Sequence, residues 1–422
     1  MKFNIYTLGC KVNTYESNVM SDKLKNAGYI EVNVDEHADI SIINTCTVTN
    51  TADSKSMKMV RHAIKNNPGA IIVVCGCMSQ NKKEQIEGVD IVLGNIGKSN
   101  IVKYIEEYKN KKEQIYDIRK MDTVPFESMT LNNFNKTRAF VKIQDGCNNF
   151  CSYCIIPYTR GDVRSKKKED VLKEVCTLVQ NGHREIVLTG IHTGNYGVEF
   201  DNYDFANLLE DLVKIDGLER LRISSTEITE INDRVLDIIK NNNILVSHMH
   251  IPLQSGSNSV LKRMNRKYDM DYFKNKINTL RSIRPLISIT TDVIVGFPGE
   301  TEEEFNEMVE NIKEINFSKL HVFPYSKRNG TVAADMDNHI DETLKKKRAH
   351  VLLEISKELE LNYMKQFMNK EVEYIPEVYK DGYLLGHTGN YLSIKQKGLE
   401  TELHKLKKAK ITNVEHPYCL SE

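Results

Sequence analysis

Cys147, Cys151 and Cys154 fall within one short stretch, Gln-Asp-Gly-Cys-Asn-Asn-Phe-Cys-Ser-Tyr-Cys-Ile-Ile-Pro-Tyr-Thr-Arg-Gly, with the spacing CxxxCxxC. Three thiolates in one tight loop can hold three corners of a cubane iron–sulfur cluster and leave the fourth iron without a protein ligand. The pattern differs from the CxxC pairs of zinc fingers, where four ligands close the shell. The start of the chain, Met-Lys-Phe-Asn-Ile-Tyr, lacks the apolar region and cleavage site of a secretory signal. No apolar run approaches the ~20 residues needed to span a bilayer. The expected setting is the reducing cytoplasm, with no membrane association, where clustered thiols among the nine cysteines bind metal or do chemistry instead of pairing as disulfides.

A second set, Cys10, Cys46 and Cys77, is scattered in Leu-Gly-Cys-Lys-Val-Asn, Asn-Thr-Cys-Thr-Val-Thr-Asn and Cys-Gly-Cys-Met. Each lies just past an apolar run of strand length. In an open parallel sheet the carboxyl ends of the strands converge on one crevice, so three distant thiols are expected to meet there. Small and turn-forming neighbours let the backbone wrap closely around what they hold. Cys75 sits inside the apolar run Ile71–Val74 and reads as a strand residue. Cys176, between Val175 and Leu178 on an amphipathic pattern, reads as core, and Cys419 receives no role.

The elements that must position these thiols are legible as an α/β alternation. Runs at 2–9, 38–44, 70–75 and 89–94 alternate with helical patterns, the form of a parallel α/β sheet over 1–110. A polar, lysine-rich stretch, 111–136, reads as a linker. Strand candidates at 138–144, 185–190, 221–227, 249–254, 289–296 and 319–324 then alternate with six helical patterns, giving a partial (β/α)6 barrel over 137–367 with its chemistry at the carboxyl ends of its strands. From 368 to 422, short strands at Glu371–Val378, Tyr383–His387, Tyr391–Gln396 and Lys408–Val414 are parted by Asp-Gly, Gly-Asn and Lys-Gly turns, which reads as a small antiparallel β-barrel. A net charge of zero gives no global field toward a polyanion, so any such partner must meet local patches.

CxxxCxxC in the first loop of a βα barrel resembles the signature of radical S-adenosylmethionine enzymes. An open iron there chelates the amino and carboxylate groups of S-adenosylmethionine and sets its sulfonium beside a strong reductant. The segments around Cys10, Cys46 and Cys77 resemble the amino-terminal, flavodoxin-like domain of the methylthiotransferases, in which three cysteines carry a second cluster. Cys77, not Cys75, stands at the matching position. The tail resembles a TRAM domain. Leu-Gly-Cys-Lys-Val-Asn, Asn-Thr-Cys-Thr-Val-Thr-Asn-Thr-Ala-Asp, Leu-Thr-Gly-Ile-His-Thr-Gly and His-Val-Phe-Pro-Tyr-Ser-Lys-Arg-Asn-Gly-Thr are similar to the branch acting on threonylcarbamoyladenosine.

That resemblance implies two 4Fe-4S clusters and S-adenosylmethionine as cofactors, and methylthiolation at C2 of N6-threonylcarbamoyladenosine 37 in tRNAs reading codons that begin with A. It implies hydrogen abstraction by a 5′-deoxyadenosyl radical and sulfur transfer from the auxiliary cluster, with tRNA and an electron donor such as flavodoxin or ferredoxin as partners. Groups at successive strand ends, Tyr153, Thr189, Gly190, Ser225, Glu227, Gln254, Val295, Gly296 and Phe323, are the expected S-adenosylmethionine contacts. Tail lysines Lys395, Lys397, Lys405, Lys407, Lys408 and Lys410, with Tyr383 and Tyr391, are expected to meet RNA, helped by Arg263, Arg266 and Lys267 or by Lys166–Lys168. Lys345–Arg348 reads as solubility charge. Alternatives are a relative acting on isopentenyladenosine in tRNA, one acting on a ribosomal-protein aspartate, and a cluster carrier without a substrate.

Overall fold

The computed structural model describes residues 1–82, 86–121, 124–134 and 137–421. Runs rich in isoleucine and valine, buried on both faces, make the first sheet parallel and central. Its strands are β1 (Lys2–Thr7), β2 (Ile30–Glu31), β3 (Ile40–Thr45), β4 (Ile71–Gly76), β5 (Ile91–Leu93) and β6 (Ile115–Asp117), in the order β2-β1-β3-β4-β5-β6. All neighbours run parallel. One face packs Phe3, Ile40, Val73 and Leu24, the other Tyr6, Ile43, Val74 and Val60. The strand order reverses between β1 and β3, the point where open sheets of this kind form their ligand crevice.

The central region is a curved sheet of six parallel strands. One half orders β7 (Arg138–Lys142), β10 (Glu185–Thr189) and β11 (Arg220–Ile223). The other orders β12 (His248–His250), β13 (Ser288–Val295) and β14 (Lys319–Pro324). Backbone bonds from Leu221 to Ile244 and from Val246 to Leu221 stitch the halves together, leaving β7 and β14 as the edges of an open barrel. Between β7 and β10 a two-stranded ribbon, β8 (Gln144–Asp145) with β9 (Arg164–Ser165), brackets the cysteine loop. Seven helices from Lys168–Gln180 to Glu342–Lys365 cover the outside, the short Asn258–Arg263 among them standing beyond the six helical patterns of the sequence. They are stopped and started by ordinary caps, such as Thr301 and Glu304 in a capping box.

The amino-terminal sheet straddles the barrel's open side. Helix Lys11–Asn26 lays Tyr15 and Val19 into the barrel's own apolar core beside β7, and the Tyr15 hydroxyl lies between two acceptors for its one proton, Met129 O at 2.7 Å and Glu174 at 2.9 Å. At the other edge Arg328, just past β14, donates to Asp53, Asn50 and Thr47. At the centre Glu16, fully buried, meets Lys98, Lys142 at 2.8 Å and Arg160 at 3.2 Å. Asp145, also buried, takes Lys142 at 2.7 Å and Arg160 at 3.0 Å.

Several sequence expectations need correcting. The stretch read as a linker contributes β6 to the sheet and sends Met129, Leu131 and Phe134 into the barrel core; its residues 122–123 and 135–136, like the final residue 422, lie outside the described residues. The tail is a curled six-stranded mixed sheet, not a wholly antiparallel barrel. It runs β18 (Lys407–Lys410), β15 (Glu371–Lys380), β16 (Tyr383–Thr388), β17 (Ser393–Lys397), β20 (Tyr418–Ser421) and β19 (Asn413–Glu415). β17 and β20 pair in parallel because the chain returns across the sheet to seat Cys419 in the tail's core. The run 408–414 breaks into two strands, and Tyr391 lies in a turn with φ +63°. Cys176 is half-buried. Lys345 and Arg348 are buried, Arg348 bonded to Glu300 at 2.7 Å, so only part of that basic run faces solvent.

Burial alone would raise the carboxyl of Glu16, but Lys142, Lys98 and Arg160 outweigh it and hold it well below the usual range. Asp145 is held down in the same way by Arg160 and Lys142 against its own burial. A depressed folded value means stabilisation present at neutral pH and lost as the pH falls from the ordinary carboxylate range toward the lowered ones. Glu16→Gln is expected to cost about 3–5 kcal/mol, since it strands buried cations. It should lower the thermal midpoint at pH 7 and flatten the acid side of the stability profile. An unchanged midpoint would mean that the network does not hold the two regions together.

Candidate functional site

The three distant cysteines meet at the strand-order reversal. Cys10 follows β1 and caps helix Lys11–Asn26, Cys46 follows β3, and Cys77 opens the short helix after β4. Gly9, at φ +95°, carries the chain against Cys46, where an added Cβ would stand 2.8 Å from Cys46 Sγ. Only glycine fits that backbone and that approach. The three thiols lie within electrostatic reach of one another. Cys75 points into the sheet's apolar face, fully buried, as its place in the run implies.

The second trio sits on the loop that the β8–β9 ribbon brackets, where Cys147 N–H donates to Gly161 O and Cys154 N–H to Cys151 O. Cys147 and Cys151 are within electrostatic reach of Cys154. Each trio has a buried cation against its sulfur. Arg160 Nε donates to Cys77 Sγ at 3.3 Å, and Arg266 Nη1 to Cys151 Sγ at 3.3 Å. His192 Nδ1 lies 3.6 Å from Cys147 Sγ, with Glu230 2.5 Å from its other nitrogen. Burial would lower the His192 pKa, but Cys147 and Glu230 overcome it and push it up to about 10.

Arg160 is the joint between the two sets. Its side chain is fully buried and bonds Cys77, Asn13 at 3.0 Å, Glu16 and Asp145, two residues before Cys147. Around it four buried cations, Lys98, Lys142, Arg160 and Arg164, face two carboxylates, Glu16 and Asp145. That surplus of positive charge fits an anionic group held by thiolates. Among the described residues no three His, Cys, Asp or Glu side chains close around a single metal ion. A lone zinc needs every sulfur ~2.3 Å from one point, whereas a cubane offers each thiolate its own iron. The donor set therefore fits two clusters.

The expected cofactor contacts are placed unevenly. Tyr153 and Glu227 are brought together by Arg266, which reaches the Tyr153 hydroxyl at 3.5 Å and pairs with Glu227. Thr189 lies 3.5 Å from Ser224 at the end of β10, and Gly190 packs against Gln144. Ser225 is half-buried just past β11, while Gln254, at φ +65°, bridges to Val293. Val295 turns its side chain into the core among the helices, so only its backbone faces inward. Gly296 donates its N–H to Glu300 and abuts Lys345. Phe323 is 46% exposed at the barrel mouth.

Arg160, Asn13, Glu230 and Asn95, whose Oδ1 accepts from the Cys77 thiol at 3.5 Å, were not found by sequence reasoning. Arg160 stands in the quoted run Tyr-Thr-Arg-Gly, but nothing in its type or spacing marks it as a partner of Cys77. Arg266, read there as an RNA contact, is buried against Cys151, and Arg263 is paired with Glu304 at 2.7 Å. Lys166 is buried on Glu174. Tyr391 is turned inward, edge-on to His248 at 4.5 Å. Of the tail's outward groups, Lys395 lies 4.5 Å over the Tyr383 ring. A cavity of about 300 Å³ runs through the barrel lumen from Lys11, next to Cys10, to the docked tail at His387 and Tyr391.

Comparison with known proteins bears on these features together. Residues 141–312 match the radical SAM superfamily, and residues 2–94 match a family described as uncharacterized protein family UPF0004. The chain is 45% identical to the threonylcarbamoyladenosine tRNA methylthiotransferase MtaB of Bacillus subtilis, covering 98% of this chain and 94% of that one. It is 38% identical to the MtaB of Thermotoga maritima, over 92% and 89%. It is 36% identical to a tRNA-2-methylthio-N(6)-dimethylallyladenosine synthase of Clostridium botulinum, over 89% and 86%. In structure it is similar to the radical S-adenosylmethionine methyltransferase TsrM of Kitasatospora setae, with a TM-score of 0.58 at 12% identity over 79% and 76% of the two chains, a likeness of fold.

Burial pushes the thiol of Cys46 up to about 11 and that of Cys154 up to about 12. These groups are protonated near neutral pH and must lose their protons to bind metal. Loading the metal-free chain with iron and sulfide is expected to release protons into a weakly buffered solution, and to grow more favourable between about pH 7 and pH 9. Loading without proton release would mean that these thiols are not the ligands.

Proposed function

Since this chain belongs to the radical S-adenosylmethionine tRNA methylthiotransferases, we propose that it methylthiolates C2 of N6-threonylcarbamoyladenosine at position 37 of tRNA, with its two cysteine trios dividing the work. The observation that carries the division is the pair of thiol sets joined by Arg160. Cys147, Cys151 and Cys154 would hold the cluster that meets S-adenosylmethionine, and Cys10, Cys46 and Cys77 the auxiliary cluster. When bound, these groups would supply a 5′-deoxyadenosyl radical to abstract the C2 hydrogen and the sulfur that replaces it, with a second S-adenosylmethionine as the methyl donor, chemistry a protein side chain cannot supply at an unactivated aromatic C–H bond.

The chain's own residues do the rest. Arg266 and Arg160 place positive charge and N–H donors on the ligand sulfurs, and His192 sets its imidazole beside Cys147, which raises the potential at which an anionic cluster accepts an electron. Tyr153, Glu227, Ser225, Gln254, Thr189 and Gly190, with the backbone of Val295 and Gly296 and the ring of Phe323, surround the space for S-adenosylmethionine at the strand ends. The amino-terminal sheet, lying over the open side of the barrel, keeps water from the lumen. The tail, residues 368–422, acts as a TRAM-like domain whose lysines meet the anticodon stem-loop through phosphate contacts. A flavodoxin or ferredoxin supplies electrons, and the enzyme works in the cytoplasm.

Three variants separate the roles. Cys147→Ala is expected to abolish 5′-deoxyadenosine formation in anaerobic reactions with dithionite, and with it the product. Cys77→Ala should still form 5′-deoxyadenosine, yet yield no methylthio nucleoside and carry about half the iron. Cys75→Ala should retain both products. Methylthio nucleoside from Cys77→Ala would reject the auxiliary role. In a strain lacking the gene, mass analysis of tRNA nucleosides should show loss of the methylthio form of threonylcarbamoyladenosine; an unchanged profile would reject the substrate.

A further inference from the structure

Two arginines at the barrel lumen turn guanidinium nitrogens to no hydrogen-bond acceptor among the described residues. Arg222, on β11, is 1% exposed, and its Nε donates to Glu185 at 2.6 Å. Both of its terminal nitrogens are buried and make no hydrogen bond among the described residues, and the same holds for one terminal nitrogen of Arg138 on β7. The Arg222 guanidinium lies 3.9 Å over the ring of Tyr391, a wall of the lumen cavity, and that of Arg138 lies 5.1 Å from the same ring. Lys11 and His248 line the same cavity. Burial, followed by the charge of Arg222, lowers the His248 pKa well below its ordinary value, so the histidine is neutral and the positive charge belongs to the arginines and Lys11.

Buried donors without partners are costly and rare, whereas a free guanidinium edge matches a carboxylate in two parallel bonds. Lys11, the residue after Cys10, lines the cavity, and its side chain is within electrostatic reach of Arg222, Arg138 and Cys10. We infer that this lumen site, with Arg222 as its anchor and Arg138 and Lys11 beside it, receives the carboxylate of the substrate's threonylcarbamoyl group. The inference rests on the proposed function and deepens it by naming what reads the modification.

The chemistry of the substrate favours this assignment over other anions. The threonyl carboxylate is the one ionised group on the modified base, and it hangs from N6, two ring bonds round from C2 across N1. Backbone phosphates stay with the sugar chain. The carboxylate of S-adenosylmethionine belongs at the open iron of the other trio. An isopentenyl group in the same place would leave the guanidinium nitrogens desolvated and unpaired, and sites built to bind a polar group reject analogues that lack it far more strongly than apolar pockets reject extra size.

The test uses the complete, cluster-loaded enzyme and two anticodon stem-loop RNAs, one carrying threonylcarbamoyladenosine and one its threonine methyl ester, which removes the charge and keeps the shape. Wild type should show a KM for the ester on the order of tenfold or more above that for the acid. Arg222→Met should raise the KM for the acid to the ester's level and leave the ester's unchanged. Equal KM values for acid and ester with wild type would overturn the inference, and this comparison needs no variant that folds. A rise of equal size for both RNAs in Arg222→Met would also overturn it, since a purely structural arginine has that effect. If wild type forms 5′-deoxyadenosine but methylthiolates neither RNA, the substrate itself is wrong and the carboxylate site falls with it.

Discussion

A buried arginine hydrogen-bonded to a cysteine sulfur is the contact on which the rest of the molecule depends. Arg160 leaves the loop carrying one thiol trio, reaches Cys77 of the other, and is held by Glu16 and Asp145 from two different regions of the chain. Burying that charge would be prohibitive without partners on every side. The partners exist only when the amino-terminal sheet is seated on the barrel, so the same bonds that stabilise the interface also fix the distance and direction from one thiol set to the other.

The open barrel explains why the two regions need one another. A six-stranded parallel arc leaves two edges, and helix Lys11–Asn26 supplies apolar cover at β7 while Asp53 and Thr47 hold Arg328 beyond β14. The helix that plugs the gap begins at Cys10. Closing the barrel and delivering a thiol to its mouth are therefore one structural event. The strand-order reversal at β1 and β3 does the remaining gathering, since Cys10 and Cys46 follow the two strands that flank it.

At the barrel's other end the tail is joined to the lumen. Arg138 pairs with Glu377 at 3.1 Å, Arg220 donates to the Glu373 carbonyl at 3.0 Å, and Tyr391 lies under Arg222. An RNA-facing domain thus shares residues with the cavity wall, and the left-handed turn at Tyr391 aims its ring inward. Basic residues end in different places: Lys395 over an outer tyrosine, Arg222 in the lumen, Lys166 on Glu174.

The alternation of apolar runs and helical periods determined the amino-terminal α/β sheet, the six barrel strands and six of the seven helices around them, because burial on one face repeats at a local period that needs no tertiary information. The CxxxCxxC loop was legible for the same reason, its three thiols being neighbours in the chain. Cys10, Cys46 and Cys77 needed one further rule, that parallel strand ends converge. What the tertiary structure alone decided was which charges meet: Arg160 with Asn13, 147 residues away, Arg266 with Cys151, and His192 with Cys147. It also decided that the supposed linker would complete a sheet and that the tail would curl with one parallel pair. A lysine or arginine carries no local mark of burial; only the carboxylate, ring or sulfur brought to it by a distant segment decides whether it is solvated surface or part of the site.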